Sequence, residues 1–349
     1  VASSIEDVRE LVIYNRYKFR QIKNKLFIPK FYISNLKDGA WYYTGDRLEQ
    51  GCLTPEEKDP AGYAEYLAAI REYKASEHNV MILTMEGTSE YPSSQNQHIM
   101  AMPDSADYVC VKIEDKLHEV IAAEIPAVLE KKGTKTLVSV DHAVINAAWT
   151  ALEDERVDKG EAPGTQEELA AFFTEQTEKL VARCNEYGFG GLMVSFQGTK
   201  AGAAGVAQAA FIEVIKKFHQ ENPEKELIFR GGARNIIDQE FLNEFKYIIV
   251  IAGEERKLSL LPGRSLGSTA PKDRVIMELT VPSADEPEQV GMSPVEAATW
   301  LWTEIENPSF TPRGLCVENA HDDYFCKDMA FKNIRAAITV LNTKPTVEE

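Results

Sequence analysis

The stretch from Tyr187 to Gly198 reads YGFGGLMVSFQG, an apolar run between glycines that ends on a polar residue. That is the outline of a barrel strand carrying a side chain to an active-site mouth, yet nothing in it exchanges a proton near neutral pH. The same outline recurs along the chain. Apolar runs end near Glu86, Glu114, Asp141 with His142, Arg230 with Arg234, Glu254, Glu278, and Glu318 with His321. Carboxylates gathered at one mouth have the chemistry of a general acid and a general base. A ring of mixed charge is ordinary at the top of any barrel, so on its own it specifies no reaction.

The elements that must position these residues are strands at 78–87, 106–114, 135–144, 190–198, 226–232, 246–254, 274–282 and 313–323. Each is apolar almost throughout, the pattern of parallel strands buried on both faces. Helical periodicity fills the gaps, as in LHEVIAAEIPAVLEKKG and TQEELAAFFTEQTEKLVARCNEYG, which close on glycine. AGVAQAAFIEVIKKFHQENP, SPVEAATWLWTEIE and MAFKNIRAAITVL follow the same rule. Eight strand–helix units in succession predict an α/β fold, a closed (β/α)8 TIM barrel. A doubly wound sheet is the weaker choice, because no glycine-rich dinucleotide loop follows the first strand. Residues 1–77 read as an N-terminal extension ending in the helix PAGYAEYLAAIREYKAS, and 78–349 as the barrel. With no linker rich in proline, glycine or serine, 1–349 is expected to form a single domain.

The formal net charge of −17 repels phosphate backbones and anionic lipid, which argues against nucleic acid and membrane surface as partners. The basic run YNRYKFRQIKNK is then better read as a helix face docked on acidic barrel surface. No run reaches the roughly 18 apolar residues of a membrane span. Five cysteines without a C-x-x-C pair argue against a zinc knuckle and a full disulfide framework. Cys316 and Cys326 flank one short loop and could pair, but the cysteines are better read as ordinary, mostly buried thiols. His142 and His321 stand beside acids but lack a ligand spacing such as H-x-x-x-H, so no metal is expected, and they read as solvated or hydrogen-bonded. GTKAGAAGVAQ (198–208) lacks the phosphate-loop spacing and reads as a tight turn into a helix. No cofactor is called for. The start at Val1 suggests that an N-terminal piece has been removed.

YGFGGLMVSFQG resembles the fourth strand of glycoside hydrolase family 18, the chitinases and endo-β-N-acetylglucosaminidases, whose strand reads approximately YGFDGIDIDYE. Tyr187, Gly188, Phe189 and Gly191 match, and Leu192, Val194 and Phe196 are conservative replacements. PDSADYV before strand two and EKKGTKTLVSV into strand three are similar to family 18 proteins of gut Bacteroidetes. The resemblance covers about residues 60–340. It places the family's acidic positions at Gly190, Met193, Ser195 and Gln197, none of them acidic here. In the family the glutamate protonates the glycosidic oxygen, and an aspartate orients the substrate's acetamido group, which attacks the anomeric carbon. Glutamine keeps the shape of glutamate without the proton, and losing general acid–base assistance costs about 10²–10⁴-fold. Met193 is expected to fill space inside the barrel. Gln197 either hydrogen-bonds a sugar or satisfies neighbouring polar groups.

The resemblance therefore implies a non-catalytic glycan-binding protein for glycans that contain N-acetylglucosamine. Gln197, Ser195, Glu86, Asp141, Trp149, Arg230 and Glu278 are the candidate ligand-binding residues. Trp149, in a βα loop after strand three, and the run Trp41, Tyr42 and Tyr43 are candidate stacking platforms, with Trp41 equally readable as packing the extension onto the barrel; Trp300 reads as core. The resemblance also implies a secreted protein or a cell-surface lipoprotein. One alternative is an active hydrolase using other mouth carboxylates, among them Glu86, Glu114, Glu254 and Glu278. Another is a structural or protein-binding scaffold.

Overall fold

The computed structural model describes residue 56 and residues 59–303, 309–326 and 329–343. Most of the expected extension, with Trp41, Tyr42, Tyr43 and Cys52, lies outside the described residues. Its last helix is there as α1 (Pro60–Ala75), capped by Asp59, whose carboxylate accepts from the Gly62 N–H, and started by Pro60 at its first position.

Eight parallel strands follow: β1 (Val80–Glu86), β2 (Tyr108–Lys112), β3 (Lys135–Asp141), β4 (Gly191–Phe196), β5 (Glu226–Gly231), β6 (Tyr247–Ile251), β7 (Val275–Leu279) and β8 (Pro312–Val317). They hydrogen-bond in sequence order, and β8 closes on β1. The expected TIM barrel is therefore present, with every predicted strand in place. Alternate residues build two cores. Ile82, Cys110, Leu137, Met193, Ile228, Ile249, Ile276 and Cys316 fill the barrel interior. The intervening residues, such as Val194 and Phe229, face outward and pack under the helices with Phe173, Phe211 and Phe245. Buried on both faces, the strands had to be apolar throughout. Gly191 marks where β4 and β5 come together: a Cβ there would lie 2.0 Å from the Glu226 carbonyl oxygen.

The helices are α2 (Glu119–Lys132), α3 (His142–Asp158), α4 (Gln166–Tyr187), α5 (Gly202–Glu221), α6 (Leu261–Ser265), α7 (Pro294–Trp300) and α8 (Lys332–Asn342). α4 opens with a reciprocal Thr165–Glu168 capping box and stops at Gly188, whose φ of 77° leads the chain into β4. Two connections depart from the expected pattern. The chain does not stay extended to residue 144, because Asp141 caps α3 and the helix begins at His142. Between β5 and β6 there is no α-helix, only the 3₁₀ turns Ala233–Asn235 and Glu240–Glu244. The buried Gln208 of α5 holds that segment, donating to the Asn235 carbonyl and accepting from the Ile237 N–H. As expected, Trp300 packs inside, its ring 6.3 Å from Phe310. Among the described residues no helix is long and apolar enough to cross a membrane.

Cys316 and Cys326 do not pair; both are free thiols. Cys316 points into the barrel interior towards Thr84, whereas Cys326 lies outside it beside Asp323 and Asn333.

Candidate functional site at the barrel mouth

The inward face of β4 carries Gly191, Met193, Ser195 and, just past the strand, Gln197. Met193 is fully buried in the apolar interior layer. Ser195, 2% exposed, sits level with Asp141 of β3 and Arg230 of β5 in the sheet register. Gln197 is exposed at the C-terminal end of the barrel, the end at which barrel enzymes place their chemistry. Gly231, at φ 116°, lets β5 run beneath it: a Cβ there would lie 2.3 Å from the Phe196 carbonyl and 3.0 Å from Gln197 Cγ.

Beside this column a charged network spans the mouth. Arg230 reaches from β5 to β7, where its Nε and Nη2 donate to the two oxygens of Glu278 at 2.5 and 2.7 Å. Its Nη2 also lies 3.8 Å from Glu318 beyond β8. Lys112 of β2 donates to Glu318 and lies 3.2 Å from Glu86 of β1. Burial raises the Glu278 carboxyl above the ordinary range, but each of its oxygens accepts from Arg230, which holds it as the anion. Burial alone would lower Lys112; Glu318 and Glu86 outweigh it and raise the ammonium above the usual lysine value. A carboxylate whose two oxygens are both tied to one guanidinium is a poor proton donor. The network therefore suits holding the shape of the mouth better than donating a proton within it.

His142 lies one residue past β3, its ring 4.8 to 5.4 Å from those of Phe196, Phe173 and Phe211. It is neither solvated nor hydrogen-bonded through Nε2, contrary to the sequence expectation, and burial pushes it down to about 4.

The sequence profile of glycoside hydrolase family 18, BT1044-like, matches residues 50–268, more than half of the chain. The chain belongs to glycoside hydrolase family 18. Solved structures carry the same fold at low identity. The endo-β-N-acetylglucosaminidase of Cordyceps militaris in apo form is 15% identical, with a TM-score of 0.56 over 80% of this chain and 96% of that one. A doubly substituted variant of that enzyme, in complex with fucosyl-N-acetylglucosamine-Asn, is 16% identical, with a TM-score of 0.57 over 79% and 95%. A selenomethionine form of BT1044 with one glutamate changed to glutamine is 16% identical, with a TM-score of 0.57 over 83% and 96%. The comparison with curated proteins found no match.

Within this family 18 barrel the sequence-predicted residues divide into four groups. Glu86, Arg230 and Glu278 come together in the mouth network, and Ser195 and Gln197 line the neighbouring strand. Asp141 stands at the same level, but its carboxylate accepts from the Ala143 N–H and so caps α3. Trp149 is not in a loop: it lies within α3, its ring 5.4 Å from Phe172 and 5.7 Å from the Arg156 guanidinium, which makes it a packing residue. The group that sequence reasoning missed is Lys112. The expected strand ran on to Glu114, which is exposed beyond the end of β2. Lys112, the one charged residue in YVCVK, shares the inward parity of Tyr108 and Cys110, and that parity was the available signal.

Proposed function

We propose that this family 18 barrel is a glycan-binding protein without hydrolytic activity, and that its ligands contain N-acetylglucosamine. The observation that carries the reading is the inward column of β4, where the family's acidic pattern meets Met193, Ser195 and Gln197. Met193 sits among aliphatic side chains that would not tolerate a carboxylate. The interior has thus been rebuilt around the lost acid rather than left with one exchanged side chain. Ser195 and Gln197 retain hydrogen-bonding capacity but have no proton to deliver at neutral pH.

The fungal relative supports the binding half of this reading. It was captured with its sugar ligand as a variant in which an aspartate and a glutamate two positions apart had become amides. Ser195 and Gln197 have the same spacing. A hydrolase built on other mouth carboxylates fits less well, since Glu278 is held bidentately by Arg230 and Glu114 and Glu254 are exposed beyond their strands. An extracellular setting, as the family resemblance implies, belongs to the same proposal.

The test is calorimetry with chitooligosaccharides and an N-glycan, run beside an assay for new reducing ends. Binding without release is the expected result. Release at a rate above buffer overturns the non-catalytic reading, and absence of both binding and release overturns the glycan reading.

A further inference from the structure

We propose that the floor of the barrel, opposite the mouth, carries a second binding site, for a small organic oxyanion of monosaccharide size. A cavity of about 330 Å³ opens there, at the small end of the range for ligand pockets. It lies where the strands begin: Lys135 heads β3, Lys246 and Arg274 precede β6 and β7, and Arg313 lies at the start of β8. Lys74, from the last turn of α1, completes a set of five cations around one cavity. Only two carboxylates line it, Asp107 and Glu77. In a chain of net charge −17 this is a local reversal of sign.

A barrel floor ordinarily serves stability, and some of these cations are satisfied in that way: Arg274 donates to both oxygens of Asp273, at 2.8 and 3.2 Å. Lys135 and Lys246 both donate to the same oxygen of Glu226, so one negative charge answers two positive ones. Arg313 lies 3.7 Å from Glu77, whose side chain is almost wholly in solvent, so that pair is weak. Lys74 is the decisive group. Among the described residues it has no carboxylate within 4 Å, and its ammonium donates to the Thr134 hydroxyl at 2.5 Å. Burial pushes it down to about 8, despite the attraction of Asp107. An unpaired, partly desolvated ammonium at the edge of an open cavity gains strongly from an incoming anion.

The cavity wall also suits more than a bare ion. Tyr108 and Tyr247 form its inner side with ring centroids 6.2 Å apart, edge to face. Tyr108 is itself buried, its phenol donating to Glu226 and its ring covered by the Lys135 and Lys246 ammonium groups at 5.7 and 5.8 Å, so the half-buried Tyr247 is the ring left to meet a ligand. The Tyr247 ring offers a flat apolar surface to the carbons of a sugar. A carboxylated and a phosphorylated sugar share the required chemistry, so both are used as probes.

The experiment titrates the whole protein with glucuronate, glucose 6-phosphate and uncharged glucose. The two anions are expected to bind and glucose not to, and the tighter anion identifies the source. Lys74→Met and Arg313→Gln should each weaken the anion by about tenfold or more, while leaving chitooligosaccharide binding unchanged. In the unsubstituted protein the anion should also slow acylation of Lys74, a readout that needs no variant. Anion affinity that survives both substitutions, or Lys74 labelling that ignores the anion, overturns the proposal. Neither outcome depends on whether the mouth binds glycan.

Discussion

At the mouth of this barrel Arg230 directs two N–H groups to two oxygens of Glu278, while at the floor Lys135 and Lys246 direct two ammonium groups to one oxygen of Glu226. The mouth network sets three carboxylates, Glu86, Glu278 and Glu318, against two cations, and each member has an ionic partner on another element. The floor gathers five cations around a cavity and, among the described residues, leaves Lys74 with only a hydroxyl. The interior between them is apolar, so neither end can neutralise the other at short range. A network whose members all have ionic partners holds geometry, whereas one that leaves an ammonium without a carboxylate invites a counter-ion. The difference assigns scaffolding to the Arg230–Glu278 pair and recruitment to Lys74.

The largest expected effect tests the closed network. Arg230→Met removes both donors from a carboxylate that is 3% exposed, and should destabilise the fold by about 3–5 kcal/mol, because an uncompensated buried charge remains. Replacing both partners, as Arg230→Met with Glu278→Leu, should recover most of that loss. Urea midpoints of the two variants check it. A loss below about 1 kcal/mol for Arg230→Met would mean that water already reaches Glu278, and the contrast with the floor would fail.

A smaller effect, also on the mouth side, concerns acid. His142 is held neutral by burial, with a folded value of about 4 against 6.5 when unfolded. Below 6.5 the unfolded chain takes up a proton that the folded chain does not. Its contribution is therefore fully present above 6.5 and is lost as pH falls from 6.5 towards 4, by up to about 3 kcal/mol. His142→Phe, which suits the surrounding ring of phenylalanines, should flatten that part of the stability curve. Chemical denaturation at pH 7, 5.5 and 4.5 measures it, and an unchanged slope in the variant would assign the acid sensitivity elsewhere.

The barrel itself was legible because strands buried on both faces must be apolar on both, and eight such runs punctuate the chain. Helix α3 was not legible: of HAVINAAWTALEDERVD only His142 and Ile145 are buried, so its apolar stripe is too thin to read as periodicity. That error put Trp149 in a loop and offered it to a ligand. The column at Met193, Ser195 and Gln197 could be read from sequence, since alternation from a glycine fixes which residues face inward. The bidentate grip of Arg230 on Glu278 could not, because it depends on two strands that are neighbours only through β6. Nor could the failure of Cys316 to meet Cys326, since spacing along a chain does not reveal that one thiol faces the barrel interior and the other lies outside it. The floor was missed altogether: Lys74, Lys135, Lys246, Arg274 and Arg313 are scattered singly through the sequence, and only barrel closure brings them to one cavity.

The smallest effect on stability discriminates most sharply between the two ends. Glu226 is held below the ordinary carboxylate range by Lys135, Lys246 and the Tyr108 phenol, which outweigh the opposing effect of its burial. Its cationic partners are substantially exposed, so Glu226→Gln should cost only about 1 kcal/mol. The same change removes the negative charge that competes with an incoming anion, and should tighten glucuronate by about five- to tenfold. The corresponding change at the mouth, Glu278→Gln, frees Arg230 in a buried setting and should lower stability. If Glu226→Gln instead weakens glucuronate, Glu226 is organising the lysines rather than opposing the ligand. The floor would then be a closed structural network of the same kind as the mouth.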